Sequence, residues 1–334
     1  MMRIKKILMV LTAMVCVAVP GKALSFALDS VAEWGKFPRF CVKTYRWGDR
    51  FFNSYDSAYV KGTGYKMNVK LRTNSWIDDN SPSTNTIGFD ITYLAVSLGY
   101  DFNINKLFGD VDRRKSKFNF DFTCALFTAS LYSIKNDVGM NLKRVGDMKG
   151  INEKFDGVRT SSWGIEAVYF FNNKRYSYAA AFSISKLQLR SQGSFFVGFS
   201  YNNQDLNFDF AKLPDYLKPQ LPEEWHSRVF TVKEQTCGVK GGYAYNWVPA
   251  KHYNIGVSEA VIPSVSKGKQ SSVNPGCSFR LYNRLNLSVT WNNRRWFAGI
   301  VGKTDVAVVA DKKTILANSL FSVEMKVGWR FNLW

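Results

Sequence analysis

Lys66, Lys70, Arg72, Lys240, Arg280, Arg284, Lys326 and Arg330, together with Asp90, Asp101, Asp121, Glu166 and Glu324, each occupy the polar phase of a segment in which polar and apolar residues alternate. Successive side chains of an extended chain point to opposite faces, so these charges gather on one face and apolar residues on the other. Fixed charges sharing an inner face can do one of two things. They can pair into a packed, salt-bridged interior that holds an enclosure open or shut. They can instead line an aqueous path whose cation excess favours small anionic solutes. The residue types leave both open.

Covalent chemistry has little to work with. A Ser-His-acid arrangement needs a placed imidazole, and the chain has two histidines, His226 in a proline-rich stretch and His252 beside a predicted turn. No GxSxG or HExxH motif occurs. A lipid-modifying enzyme is the least supported reading; no catalytic residue is assigned, and no cofactor or metal is expected. Cys41, Cys124, Cys237 and Cys277 are dispersed without a CxxC pair. Three of them lie in strand patterns, where a free thiol serves as a small apolar residue, and that reading is preferred to a disulfide.

The elements that position these charges are strands. From Phe321 to Leu333 every odd position is apolar (Phe321, Val323, Met325, Val327, Trp329, Phe331, Leu333), while Ser322, Glu324, Lys326, Gly328, Arg330 and Asn332 stand between them. At about 3.3 Å per residue and a tilt of roughly 40°, this run covers about 33 Å, more than the apolar band of about 25 Å that an outer-membrane barrel presents to lipid. Lys326, Gly328, Phe331 and Leu333 also resemble the C-terminal insertion signal that the barrel-assembly machinery reads, with Trp334 one place beyond it.

The start of the chain agrees with export. Arg3, Lys5 and Lys6 precede an apolar run from Ile7 to Val19, and Gly21-Lys22-Ala23 offers a peptidase site. Residues 1–23 are expected to be a signal peptide, with cleavage after Ala27 as the alternative. The run is too short for a spanning helix, which takes about 20 residues. The net charge of +19 would suggest nucleic acid in a cytoplasmic protein; in an exported one it points to phosphorylated lipid headgroups or a cationic lumen. A mean hydropathy of -0.19, with 16% aromatics and 24 glycines, fits alternating strands.

Residues 24–63 are expected to form a periplasmic N-terminal segment, and residues 64–334 a closed, all-β, antiparallel transmembrane barrel. Strand patterns begin at Tyr65-Lys66-Met67 and pass through a tight hairpin near Tyr93. Further along, Ile165 to Phe171 leads through a turn at Asn172-Asn173-Lys174-Arg175 to a return strand carrying Tyr176, Tyr178, Ala180 and Phe182. Residues 74–86, 135–158, 204–228 and 266–276 read as loops. The count is about twelve strands, within a range of ten to fourteen, and the strand parity does not close between residues 117 and 230. Even numbers are the rule for bacterial barrels.

The stretches GIEAVYFFNNKRYSYAAAFSISKLQLRSQGSFFVG (Gly164 to Gly198), GGYAYNW (Gly241 to Trp247) and WNNRRWFAG (Trp291 to Gly299), with YRWGDRFFNSYDSAYVKGTG (Tyr45 to Gly64), resemble a Bacteroidota outer-membrane β-barrel family that carries a domain of unknown function. The resemblance implies the fold and a place in the outer membrane of a Gram-negative cell, among its lipids, and implies no activity. The expected role is passive, porin-like passage of small anionic solutes. The alternative is a structural or surface-binding barrel acting through its loops.

Overall fold

The computed structural model describes residues 55–78, 81–103, 115–137, 140–145, 148–221, 223–227, 229–270, 277–311 and 314–332. The expected signal peptide, Cys41, most of the N-terminal segment, and Leu333 and Trp334 lie outside the described residues. Sixteen strands follow in chain order: β1 (Val60–Gly62), β2 (Met67–Asp78), β3 (Ser81–Tyr93), β4 (Val96–Asn103), β5 (Lys115–Thr123), β6 (Phe127–Asn136), β7 (Met140–Val145), β8 (Met148–Phe155), β9 (Val158–Phe170), β10 (Lys186–Gln188), β11 (Gln192–Asp209), β12 (Val229–Trp247), β13 (Tyr253–Gln270), β14 (Cys277–Asn292), β15 (Trp296–Asp311) and β16 (Thr314–Phe331). Twelve of them close into one antiparallel barrel in the order β11-β12-β13-β14-β15-β16-β2-β3-β4-β5-β6-β9. The seam is the pairing of β9 with β11, from Phe196↔Phe170 to Phe208↔Val158. Closure leaves the wall no free edge of unpaired backbone groups.

Alternation dictates which way each strand faces. In β16, Phe321, Met325 and Val327 are exposed on the outside, while Ser322, Glu324, Lys326, Gly328 and Arg330 are buried inside. Its neighbour β2 repeats the pattern in register, with Val69 and Leu71 outward and Lys70 and Arg72 inward. Trp247, Tyr253 and Trp296 are exposed on the outer wall at the end of the barrel where connections are short. There β3 passes to β4 through Leu94 and Ala95, with Leu94 at φ 58. Such a positive φ lets a two-residue turn follow the twist of its strands. The other end carries the β7–β8 hairpin, paired as a sheet of its own, and residues 210–227, which form three short 3-10 turns.

Four expectations need correction. Residues 74–86 are strand rather than loop: β2 runs to Asp78 and β3 starts at Ser81. Within 135–158 lies the β7–β8 hairpin. Gln204–Asp209 and Ser266–Gln270 extend β11 and β13 instead of starting loops. Most consequentially, Tyr176, Tyr178, Ala180 and Phe182 belong to no strand. Ala179–Ser183 is one π-helical turn that ends at Ile184 with φ 55, and Tyr176, Ala179, Ala180, Ala181, Phe182 and Ile184 are all buried. Their period-two pattern arises from packing inside the barrel. Without this segment the strand parity closes at twelve.

Candidate functional site: the lumen and the segment folded into it

Residues 171–191 connect β9 to β11 at the short-turn end, yet they turn inward. Tyr176 packs with Val168, Phe170, Phe196, Ala244, Ala260 and Ile262, an apolar patch on the inner wall. Ala181 and Phe182 pack against Val301 on the opposite side, and the Tyr178 and Phe182 rings stack at 4.6 Å. Gly256 makes room: a Cβ there would stand 2.5 Å from the Cβ of Ala181. Lys186–Gln188 then pairs antiparallel with Val60–Gly62, which ties the chain preceding the barrel to this segment.

Polar side chains of the wall complete the seat by donating to backbone carbonyls. A segment without a regular ladder needs such partners when buried. Lys326 Nζ donates to the Phe182 carbonyl at 2.9 Å. Asn292 Nδ2 donates to Lys186 O at 3.1 Å, and Asn246 Nδ2 to Ser177 O at 2.9 Å. Arg330, 2% exposed, donates to the carbonyls of Ile184 and Arg294 and to Asn292 Oδ1 at 2.9 Å. Its guanidinium lies 4.1 Å from the centre of the Phe297 ring, and that ring covers the position where Gly328 has no side chain.

Two ionic groups stand above this seat. In the first, Arg72 reaches Asp90 at 2.5 Å, Asp101 at 2.8 Å and Glu324 at 3.9 Å, with Asn119 Oδ1 accepting at 3.1 Å. Glu324 also meets Lys326 at 2.8 Å and Lys303 at 3.7 Å. In the second, Glu166 bridges Lys240 and Arg284, the latter at 2.8 Å, and Arg284 meets Asp305 at 2.5 Å. Arg280 pairs with Glu234 nearer the long-loop end. Exposure varies among these groups: the Glu324 side chain is 5% exposed, that of Glu166 20% and that of Lys303 41%. The seat around Tyr176, Ala179–Phe182 and Ile184 is buried, whereas the ion pairs of Arg284 and Lys303 are partly exposed.

Of the residues expected on the inner face, Lys70, Arg72, Asp90, Asp101, Lys240, Glu324, Lys326 and Arg330 are buried, and Glu166, Arg280 and Arg284 are partly so. Asp121 accepts from Ser130 Oγ at 2.6 Å and Asn119 Nδ2 at 2.7 Å. Lys66 stands elsewhere: it is exposed and precedes β2, held by its backbone, whose N–H donates to Asn332 Oδ1 at 2.8 Å. Glu324, Lys326 and Arg330 do not form one network with Arg280 and Arg284. Glu324 and Lys326 gather round Arg72, while Arg330 serves the in-folded segment. Lys303, Asp305 and Glu234 belong to the site as well, and the inward phase of β15 and β12 carries the signal for them. Asn246 and Asn292 carry no comparable signal, because an asparagine at a strand end reads as turn chemistry.

The histidines act in turns. His252 Nδ1 lies 2.9 Å from the Asn292 carbonyl, and His226 Nε2 lies 3.1 Å from that of Leu221. They sit near opposite ends of β12. Cys124, Cys237 and Cys277 are free thiols, and no cluster able to hold a metal ion occurs among the described residues.

Comparison with curated proteins gives no match. Solved structures of similar outline include the outer-membrane protease OmpT of Escherichia coli, 7% identical, covering 82% of this chain and 95% of its own, with a TM-score of 0.36. Others are the NanC porin (5%, 79% and 100%, TM-score 0.31) and OmpT of Vibrio cholerae (9%, 83% and 98%, TM-score 0.26). Likeness of this degree bears on neither substrate nor mechanism, and the barrel stands on its own strand ladder. Residues 52–331, nearly the whole described chain and all twelve barrel strands, match one family, so this protein belongs to the family described as Domain of unknown function (DUF4421).

Proposed function

We propose that the protein is a plugged barrel of the Gram-negative outer membrane, open as a cup towards the cell exterior and closed on the periplasmic side by residues 171–191, and that it acts by binding rather than by free diffusion. The membrane location rests on the apolar outer wall and its aromatic rim. The observation that carries the plug is the set of buried donors, Lys326, Arg330, Asn246 and Asn292, each spent on a backbone carbonyl of the in-folded segment. A wall built for water would leave those donors hydrated. The exterior end is also built to present a surface: Leu213 and Leu217 of the proline-rich stretch pack on Phe155 and Val158, which gives residues 210–227 a core of their own.

A second reading, passive anion-favouring passage, draws on the exposed Lys303 ammonium and the partly exposed Arg284 and Arg280 in the outer half. Planar-bilayer conductance separates the two. The wild-type barrel should be electrically silent. A variant in which residues 176–187 are replaced by a short Gly-Ser link should conduct, and the link is sterically allowed because β9 and β11 are adjacent paired strands. Steady conductance by the wild type would overturn the plug and restore the pore.

A further inference from the structure

We propose that Glu259, with Asn283 and Thr304, forms the centre of a lateral interface through which two copies of this barrel associate within the membrane, an inference that rests on the membrane reading above. Glu259 faces outward and is exposed, between the exposed Val257 and Val261 of the same strand. Its cross-strand partners on the outer wall are Tyr243 of β12 and Leu285 of β14. It lies six positions along β13 from Tyr253 of the aromatic rim, about 15 Å along the barrel axis for a tilted strand, and Pro263 and Val265 continue the apolar wall beyond it. The carboxylate thus stands near the middle of a band about 25 Å tall. On the described outward rows, Lys135, Asp205, Lys233 and Lys267 lie towards the long-loop ends of their strands instead.

A charge at this depth is costly in lipid and calls for a partner. Asn283 supplies part of one, its Nδ2 donating to Glu259 Oε1 at 3.1 Å. Thr304 lies on the same outward row as Glu259, next to Leu285 in register. Hydrocarbon tails offer no donor, and headgroups lie about 12 Å away on either side. A second copy offers what is missing. The patch carries an acceptor, Glu259, and donors, the second Asn283 N–H and the Thr304 hydroxyl, on one face. A two-fold axis through it sets each copy's acceptor against the other's donors. Gly241 and Gly302 flank the patch, and a Cβ on either would meet nothing within 4 Å. Such bare positions let two walls approach closely enough for polar contact, as small residues do between membrane helices.

Native mass spectrometry of the full-length barrel released from detergent, and sedimentation in the same detergent, test the proposal. Wild type should be dimeric. Glu259→Leu should raise the dimer dissociation constant by about tenfold or more, the effect of losing one or two intramembrane hydrogen bonds. Glu259→Gln should keep the dimer, because an amide can still accept. The leucine variant removes a charge from an apolar wall, so its monomer folds at least as well, which heat-modifiable electrophoretic mobility verifies. A monomeric wild type, a dimer undiminished in Glu259→Leu, or a lipid retained at the patch in place of a second copy overturns the interface while leaving the membrane barrel standing. Failure of the wild type to insert into phospholipid vesicles overturns both.

Discussion

Arg330 carries a buried guanidinium that meets carbonyl and amide oxygens rather than a carboxylate. Burying it costs several kcal/mol, offset by charge-assisted hydrogen bonds of about 1.5–3 kcal/mol each. Removing the side chain removes both terms, leaves the Arg294 carbonyl without its donor at about 1–3 kcal/mol, and leaves Ile184 O only the 3.4 Å contact from Asn292 Nδ2. Arg330→Met should therefore lower stability by about 2–4 kcal/mol, read from urea unfolding in detergent, and Arg330→Lys should recover part of the loss by restoring one donor. Arg72 works by a different balance: its guanidinium faces three carboxylates, those of Asp90, Asp101 and Glu324, and pairs with each. Lys240, Arg280, Arg284 and Lys326 are likewise paired with carboxylates. Their chemical type was legible in the sequence, and their partners were not, because pairing depends on which strands become neighbours across the lumen.

At the scale of elements, the in-folded segment and strand β13 depart from simple alternation. Residues 176–182 show apolar residues two apart, as a strand would, but the tertiary setting is an enclosed apolar seat: Tyr176 is buried ahead of a single π-helical turn that buries Ala180 and Phe182, with Tyr178 partly buried between them. Phe182 fixes this turn through its stack on Tyr178 and its contact with Val301. Phe182→Ala should cost about 3 kcal/mol, in the range for buried Phe truncations, and should loosen the plug enough for bilayer recordings to show intermittent openings absent from the wild type. In β13, Pro263 sits where a central strand rarely tolerates proline. The β12–β13 ladder accommodates it by skipping from Gly238↔Ser264 to Gly241↔Val261. A proline there would argue against a strand on local grounds; closure of the barrel overrides that preference.

For the whole molecule, the two faces of one wall differ in chemistry, and in the proposed membrane setting they meet different solvents. Val257 and Leu287 pair on the outside, exposed at 38% and 49%, which only a non-aqueous surrounding makes favourable across so many strands. Val257→Arg should destabilise the barrel by about 2–4 kcal/mol in phospholipid bilayers, the cost of arginine near the midplane. The measurement is reversible unfolding in vesicles, and an effect near zero would speak against a lipid-facing wall. The inside differs along the axis, with the buried seat at the short-turn end and partly exposed ion pairs beyond it.

The sequence by itself determined the fold class, the orientation of each clear strand and the approximate number of strands, because a period of two is a local property that any outward-apolar, inward-polar wall must display. The hairpin near Tyr93 and the turn from Asn292 to Trp296 were readable for the same reason. The burial of Tyr176 to Ile184 inside the barrel, their hold by Lys326 and Arg330, and the place of Glu259 amid the apolar wall came only with the tertiary structure. Each of those depends on residues far apart in the chain sharing one enclosed space or one level of the wall, and closure of the barrel is what brings them together.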